Sequence, residues 1–261
     1  MNNPLTDPFL VLTKVYSEGA YLKQALADTP IEPINRPRTS KICYGVLEKD
    51  VYLGYIIWAN CKKSPKAAVR LVLKIALYML EFMGKHGYMV ADCAVELTKK
   101  LGKEGAAGFV NAFLRSYKVP PMPDSADERL SIAASAPLWL AKKVRRSYRG
   151  EAEAILSAPA PGVCVRFERG EEEYLKGEYI KTPFEHVYIF KNFVRDSGYD
   201  RGDYTFQSVG SVAICSVISP CERLLDACAA PGGKSVLLSK KCGFVTSQEL
   251  HPHRAELIKS Y

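Results

Sequence analysis

The sequence LLDACAAPGGK, residues 224–234, decides the fold of the C-terminal part of this chain. An apolar run is followed by a loop of small residues, one proline and two glycines, and then by a new apolar stretch. This order predicts a buried strand over 223–227, a turn, and a helix over about 233–241. A second strand over 244–248 and a helix that starts at Pro252 continue the pattern. Such an order is typical of the opening of a doubly wound parallel sheet.

The loop between the first predicted strand and helix has the composition of a ligand-binding turn. Small residues let a ligand approach the backbone, and the free amides at the start of a helix favour a carboxylate or a phosphate. Glu249 follows Asp226 by 23 positions, close to the interval at which an acid binds ribose hydroxyls in nucleotide-binding sheets. These features indicate an adenosine-containing ligand, and the lack of a GxGxxG or Walker pattern disfavours nicotinamide cofactors and ATP. The candidate binding residues are Cys228, Ala229, Ala230, Pro231, Gly232, Gly233, Lys234 and Glu249.

Each of these candidates also has a simpler interpretation. The loop could be an ordinary turn between a strand and a helix, Glu249 could be a solvated capping acid, and Lys234 could be a surface charge at the start of a helix. His251 and His253 flank a proline and have no cysteine or acid at metal-ligand spacing. That pattern predicts capping or solvent exposure for both histidines and no metal site.

Residues 135–206 predict a small α/β segment. A helix is predicted near its start, followed by strands over 162–168, 179–180 and 186–190. The aromatic side chains of the third strand (HVYIF) are predicted to lie in the core and not to form a platform for stacked bases. Residues 119–134 begin with a run rich in proline and acid, which predicts a linker.

Residues 1–118 predict helices and little else. Apolar residues recur with a period of 3.6 and are separated by short polar breaks, which favours an all-α bundle. Thr6 or Asp7 is expected to cap the first helix, and Ser64 a later one. Further helical stretches are predicted over 39–58, 88–101 and 104–117.

The composition is that of an ordinary soluble globular protein, with 48% hydrophobic and 25% charged residues. No segment approaches the ~18 consecutive apolar residues of a membrane span, and the N-terminal sequence lacks the pattern of a secretory signal. Eight cysteines are scattered without a CxxC pair. This favours reduced thiols in a cytoplasmic protein over a zinc site or a disulfide framework.

The net charge of +8 is unevenly distributed. Residues 1–118 carry +7, residues 119–206 carry −1 and residues 207–261 carry +2. A surplus of this kind suggests a surface for a polyanion such as RNA, although many proteins with this charge bind nothing acidic. A second basic cluster has the same two interpretations, a solvated helix face or a contact with RNA. Its members are Lys142, Lys143, Arg145, Arg146 and Arg149.

Several motifs of the sequence resemble those of one known protein family. DACAAPGGK is similar to motif I of the RNA cytosine-5 methyltransferases of the Sun/NOL1/NOP2 family. Glu249 with Arg254 resembles motif II of that family, and Gln207 with Ser211 resembles the approach to its cofactor domain. The segments 135–140 and 164–167 resemble its RRM-like subdomain, and 42–57 and 108–115 resemble a NusB-like RNA-binding domain. This fusion is similar to the bacterial branch that methylates 16S ribosomal RNA.

The resemblance implies a multidomain protein that uses S-adenosyl-L-methionine and binds RNA. It implies an all-α NusB-like bundle over 1–118, a linker over 119–134, a small α/β (RRM-like) subdomain over 135–206, and the incomplete start of a Rossmann-like methyltransferase domain over 207–261. It further implies that the backbone of 228–234 holds the methionine end of the cofactor. By the same resemblance Glu249 binds the ribose, and Asp226 fixes the loop.

The cysteine nucleophile of that family lies beyond motif II, in a PCSG-type motif, and a second cysteine lies in a later TCS-type motif. Neither motif occurs in these 261 residues, and Cys228 matches the cofactor loop and not the nucleophile. We therefore expect a chain that is truncated before its catalytic cysteines and inactive by itself. For want of neighbouring strands, residues 207–261 are expected either to be poorly protected or to pack on the preceding subdomain. The alternative is a non-catalytic NusB-like RNA-binding protein with a vestigial methyltransferase domain.

Overall fold

The computed structural model describes residues 3–159 and 162–259 of the chain. The chain folds as two compact units, Met1–Ala158 and Pro159–Tyr261. The described part of the first unit is helical, and the second unit mixes strands and helices. None of the helices in the described ranges is long and apolar enough to cross a membrane.

The first unit confirms the helical prediction for residues 1–118. Short turns join the helices of residues 1–118, and their apolar faces are directed into a common core. The helices of this unit are α1 (Thr6–Glu18), α2 (Leu22–Ala27), α3 (Arg36–Glu48), α4 (Asp50–Ala59), α5 (Ala67–Glu81), α6 (Gly87–Lys100), α7 (Glu104–Ser116), α8 (Ala126–Ala133), α9 (Leu138–Tyr148) and α10 (Ala152–Leu156).

Helix α5 lies at the centre of this core. Its residues Leu73, Ile75 and Leu77 are fully buried, and it packs against α1, α3, α4, α6 and α7. Gly45 on α3 permits this packing, because a Cβ at that position would lie 1.9 Å from Cζ of Tyr78. Burial of apolar surface contributes about 25 cal/mol per Å², so a helix covered on all sides dominates the stability of the unit.

Three details of the predicted helix boundaries were wrong. Helix α1 begins at Thr6 without a side-chain cap on its N-cap residue, and the Oδ1 of Asn3 instead accepts the backbone N–H of Leu5 at 3.0 Å. The stretch 39–58 forms the two helices α3 and α4, which meet at Lys49. A single helix over that stretch would be about 30 Å long, longer than α5, so the break lets both segments pack on α5. Helix α5 itself begins at Ala67 and has no side-chain cap from Ser64.

Helices α8, α9 and α10 form a small cluster of their own within the first unit. Leu130, Ala141 and Ala152, one residue from each helix, are buried together. Helix α8 lies inside the predicted linker. The Oγ of Ser125 accepts the backbone N–H of Glu128 at 3.5 Å and caps this helix. The interpretation of residues 119–134 as a linker stays a prediction. The grouping of residues 135–206 as one domain stays a prediction.

The second unit contains a four-stranded antiparallel sheet with the order β2-β3-β1-β4. The three strands predicted from the sequence are confirmed, and the sequence analysis missed the fourth, which pairs with β1. Phe167, Phe190 and Tyr204 are buried in an aromatic core, as predicted for the HVYIF segment. The elements of this part are β1 (Val163–Phe167), β2 (Tyr179–Lys181), β3 (Val187–Phe190), α11 (Ser197–Asp200) and β4 (Tyr204–Phe206).

The C-terminal part of the second unit has the predicted order of strand, loop, helix, strand and helix. Its two strands are parallel neighbours in direct register, with Arg223 opposite Phe244 and Asp226 opposite Ser247. The strand predicted over 223–227 is confirmed over Arg223–Asp226, but it is not buried, because Leu225 is 60% exposed. Within the described residues this sheet has two strands, so one edge of the first strand is uncovered. The elements are α12 (Val209–Ser216), β5 (Arg223–Asp226), α13 (Gly233–Ser239), β6 (Phe244–Ser247) and α14 (Pro252–Lys259).

Candidate cofactor-binding loop

Asp226, the last residue of β5, holds both ends of the loop 228–234. One carboxylate oxygen accepts the backbone N–H of Cys228 at 3.3 Å. The other accepts the hydroxyl of Ser235 at 2.7 Å, on the first turn of α13. An ionised acceptor makes a stronger hydrogen bond than a neutral one. Asp226 therefore fixes the path of the loop from strand to helix, which is the role that the family resemblance implied.

The middle of the loop is a tight turn that depends on glycine. The N–H of Gly232 donates to the carbonyl of Ala229 at 2.8 Å, and Gly232 has φ of 122°, a value that side chains rarely allow. The Ala230–Pro231 peptide bond is cis. The N–H of Ala229 donates to the carbonyl of Gln248 at 3.0 Å, which attaches the loop to the end of β6. Ala229 and Ala230 are buried, so these small side chains let the loop lie close to the sheet.

Glu249 lies at the end of β6, where the sequence predicted an acid. Its carboxylate accepts the backbone N–H of His251 at 3.2 Å and lies 3.5 Å from the guanidinium of Arg254. The pKa of Glu249 is lowered, first by the hydrogen bond from His251 and then by the charge of Arg254, against the opposing effect of desolvation. Arg254 also donates to the carbonyl of Ala230 at 3.3 Å. Glu249 and the loop are thus connected through Arg254.

The remaining candidates occupy different surroundings. Lys234 is half-buried on the first turn of α13, and its carbonyl lies 4.0 Å from the Sγ of Cys215. Cys228 is exposed at the start of the loop. The rings of His251 and His253 are 5.8 Å apart, and across the described ranges no group of three or more His, Cys, Asp or Glu side chains could hold a metal ion.

A buried polar network, which was not predicted from the sequence, links β1 to the segment after α13. Arg166 is 3% exposed, and its Nε donates to the Oε1 of Gln207 at 2.6 Å. Glu168 forms ion pairs with both Arg166 and Lys240. From the sequence, Arg166 and Gln207 were noted only as parts of segments that resemble the family, and no contact between them was predicted. The position of the charged Arg166 between the apolar Val165 and Phe167 of a strand was the signal that could have predicted this buried network.

Helix α9 presents the basic cluster that the sequence identified. Lys142, Lys143 and Arg146 are exposed, and Trp139, on the same helix, is 67% exposed. Arg145 instead pairs with Asp127 at 2.5 Å and lowers the pKa of that carboxyl, chiefly through the hydrogen bond.

A cleft of about 330 Å³ lies beside α9 and contains Arg129, Arg145 and Arg149 in its lining. Outside this cleft, the exposed indole of Trp139 and the exposed cations Lys142, Lys143 and Arg146 form the combination that contacts bases and phosphates in nucleic-acid interfaces.

Several known proteins are similar to this chain in sequence or in fold. Residues 9–118 match the NusB family, which defines the class of the helical domain. The chain is 30% identical over 95% of its length to the probable ribosomal RNA small subunit methyltransferase B of Bacillus subtilis, of which it covers 63%. It is 30% identical over 88% of its length to ribosomal RNA small subunit methyltransferase B of Xanthomonas campestris, of which it covers 57%. These similarities are consistent with the resemblance of the sequence to the Sun/NOL1/NOP2 family, in the branch with an N-terminal NusB domain.

The chain spans about three fifths of the length of the curated relatives it matches. A putative methyltransferase of Mycobacterium tuberculosis is 28% identical over 96% of this chain. The crystal structure of PH0851 superimposes with a TM-score of 0.68 over 98% of this chain and 65% of that one, at 18% identity. At that identity the structural match supports the fold alone.

Proposed function

We propose that this chain is the RNA-binding and cofactor-loop portion of an S-adenosyl-L-methionine-dependent ribosomal RNA (cytosine-5)-methyltransferase that acts on 16S ribosomal RNA. The observation that carries the proposal is the loop 228–234, fixed by Asp226 between a parallel strand and a helix. The similarity to the methyltransferases B supports the reaction class. A ribosomal RNA substrate would place the protein in the cytoplasm.

The residues of the loop fit S-adenosyl-L-methionine. Gly232 is a buried glycine without a Cβ at the turn, and the amides of the first turn of a helix favour a carboxylate such as that of the methionine end. In this proposal residues 228–234 hold the methionine end and Glu249 holds the ribose. A carboxylate has about four acceptor sites, so Glu249 can accept ribose hydroxyls while it keeps the N–H of His251. When bound, the cofactor supplies an electrophilic methyl group.

The proposal extends to the domain organisation. The parallel pair β5 and β6 with α13 between them is the start of a Rossmann-like sheet, and residues 207–261 belong to that domain. The antiparallel sheet before it belongs to the RRM-like subdomain of 135–206, and residues 1–118 form the NusB-like domain. Additional parallel strands beside β5 would cover Leu225, which is 60% exposed in this chain.

These 261 residues do not by themselves transfer a methyl group in this proposal. A cytosine-5 methyl transfer needs a thiolate that adds to the base and later leaves, and the motifs that supply it in the family are absent from the sequence. Cys228 is not that nucleophile, because it occupies the cofactor loop with its N–H on Asp226. We expect no methylation of 16S ribosomal RNA by this chain alone.

Saturation-transfer NMR with S-adenosyl-L-methionine tests the cofactor site, because it detects weak binding. We expect transfer to both the adenosine and the methyl protons, and a loss of transfer in Gly232→Ala, in which a φ of 122° strains any side chain. Cys61→Ser in the first unit is the control and should leave the transfer unchanged. Equal transfer in wild type and Gly232→Ala, or none in the wild type, would exclude the loop as the site and favour the non-catalytic alternative.

Binding to deproteinised 16S ribosomal RNA tests the RNA partner. Replacement of Lys142, Lys143 and Arg146 by alanine should weaken binding and reduce the slope of log affinity against log salt by about 3, since each lost phosphate contact lowers it by about 1. Replacement of Lys62, Lys63 and Lys66, which are also exposed, removes the same charge and is the matched control. A larger effect of the control triple would place the contact on the connection between α4 and α5.

A further inference from the structure

Cys221 and Cys242 lie side by side just before the two parallel strands of the second unit. Their Sγ atoms are 3.3 Å apart. The register that places Arg223 opposite Phe244, continued back by two residues, places position 221 opposite position 242. The N–H of Gly243 donates to the carbonyl of Cys221 at 3.0 Å, so the ladder reaches the cysteines and fixes their backbones as neighbours.

This geometry suits a disulfide bond. Neighbouring strands are about 4.8 Å apart, which falls inside the range of about 4.4–6.8 Å for the Cα atoms of bridged cysteines. The Sγ atoms need to approach from 3.3 Å to about 2.05 Å, a shift that small rotations about the side-chain bonds can supply. The backbone contacts around the pair can therefore remain in place when the bond forms.

We propose that Cys221 and Cys242 are a reversible thiol–disulfide site, which a small-molecule disulfide such as oxidised glutathione converts into a covalent ring over residues 221–242. The ring would enclose β5, the loop 228–234 and α13. This inference does not depend on the methyltransferase proposal, since it rests on the two thiols and the strand register alone.

The two cysteines differ in access, which assigns their roles. Cys221 is exposed and Cys242 is buried. The Cys221 thiolate attacks one sulfur of oxidised glutathione, and one glutathione thiolate leaves. Cys242 then loses its proton to solvent and attacks the Sγ of Cys221, and the second glutathione thiolate leaves. The two protein thiols are oxidised by two electrons, and one oxidised glutathione is reduced to two glutathione molecules.

Both cysteines are free thiols in this structure. The pKa of Cys221 is raised, first by the hydrogen bond to Cys242 and then by desolvation, so the reactive thiolate is scarce at neutral pH. The bond should form faster as the pH rises. Once formed, it restricts the unfolded chain by joining the starts of β5 and β6, and it opposes separation of a strand pair that has one uncovered edge.

Thiol counting by mass spectrometry tests the site in the full chain. The protein is equilibrated with oxidised or reduced glutathione, alkylated with N-ethylmaleimide in denaturant and weighed. We expect eight adducts after reduction and six after oxidation, from the eight cysteines of the chain and the loss of this pair. A non-reducing digest should contain the peptide that joins Cys221 to Cys242, and oxidation should slow amide exchange of β5 by about tenfold or more.

Three variants make the result specific. Cys242→Ser should trap a glutathione adduct on Cys221, Cys221→Ser should leave Cys242 free, and the control Cys61→Ser should still form the bridge. Eight adducts after oxidation, a bridge to a different cysteine, or a stable glutathione adduct on wild-type Cys221 would each overturn the proposal. The thiol count reports the chemistry even in a variant whose folding is weakened.

Discussion

Helix α5 and strand β5 are both rich in apolar residues, yet the structure treats them in opposite ways. Leu77 on α5 is fully buried among helices packed on every side, whereas Leu225 on β5 is 60% exposed. Apolar sequence alone does not decide this difference, because burial requires a partner surface. The helices of the first unit supply one another's partners, while β5 has β6 on one side. An element rich in apolar residues is therefore stabilised less by burial when neighbouring elements do not cover it.

The largest expected effect separates these two leucines directly. Leu77→Ala should lower the free energy of unfolding by about 3 kcal/mol, because it removes buried methyl groups and leaves a cavity. Leu225→Ala should cost roughly 0.5 kcal/mol or less, as for an exposed side chain. Urea denaturation followed by far-UV circular dichroism measures both, and equal losses would contradict the comparison.

Hydrogen exchange tests the same difference without mutation. The amides of β5 should open with a free energy lower than those of α5 by at least about 2 kcal/mol, because local stability follows buried contacts. Exchange analysed by mass spectrometry on the monomeric chain gives both values. Slow exchange across residues 223–226 in the monomer would show that the uncovered edge is protected by something other than a strand.

A smaller effect is expected at the loop, where order comes from hydrogen bonds and not from burial. Asp226→Asn keeps the size of the side chain but loses the charge that strengthens its bonds to Cys228 and Ser235, at a cost of about 1–2 kcal/mol to the second unit. Asp200→Asn is the control. Its partner Arg195 and Asp200 itself are both exposed, so it should cost less than about 0.5 kcal/mol. The melting temperature of the second unit is measured for both variants. Equal decreases in melting temperature would show that the hydrogen bonds of Asp226 do not stabilise the loop.

The smallest effect concerns Glu249 and pH. Its pKa is lowered in the folded chain, so its ionised form contributes stability that is present above the ordinary carboxyl pKa of about 4.3 and is lost as pH falls through the folded value. The difference in melting temperature between wild type and Glu249→Gln should be full at neutral pH and should close in acid. A difference that persists unchanged in acid would assign the effect to packing and not to charge.

The sequence predicted most elements because their signals are local. The apolar period gave the helical domain, and the alternation of loop and strand residues gave β1, β3, β5 and β6 near their observed ends. What was missed had weak local signals. The helix α8 lies in a proline-rich stretch and depends on a cap from Ser125, and β4 is three residues long and depends on its pairing with β1.

The candidate loop was predicted residue by residue, but the contacts that fix it were not. The sequence placed Asp226, the small residues and Glu249 at the correct ends of the strands, since spacing along the chain sets which residues lie at the edge of a sheet. The link from Glu249 through Arg254 to the carbonyl of Ala230 depends on the approach of α14 to the loop, which spacing does not determine.

The sequence by itself determined the family resemblance, the helical first domain and the position of the loop 228–234, because these depend on residue identity and on short-range periodicity. Only the tertiary structure decided that β5 lies exposed, that Arg166 is buried against Gln207, and that Cys221 meets Cys242. Each of these depends on which surfaces come together. A strand register brings residues that are 21 positions apart into contact, and whether a hydrophobic residue is covered depends on the elements packed beside it.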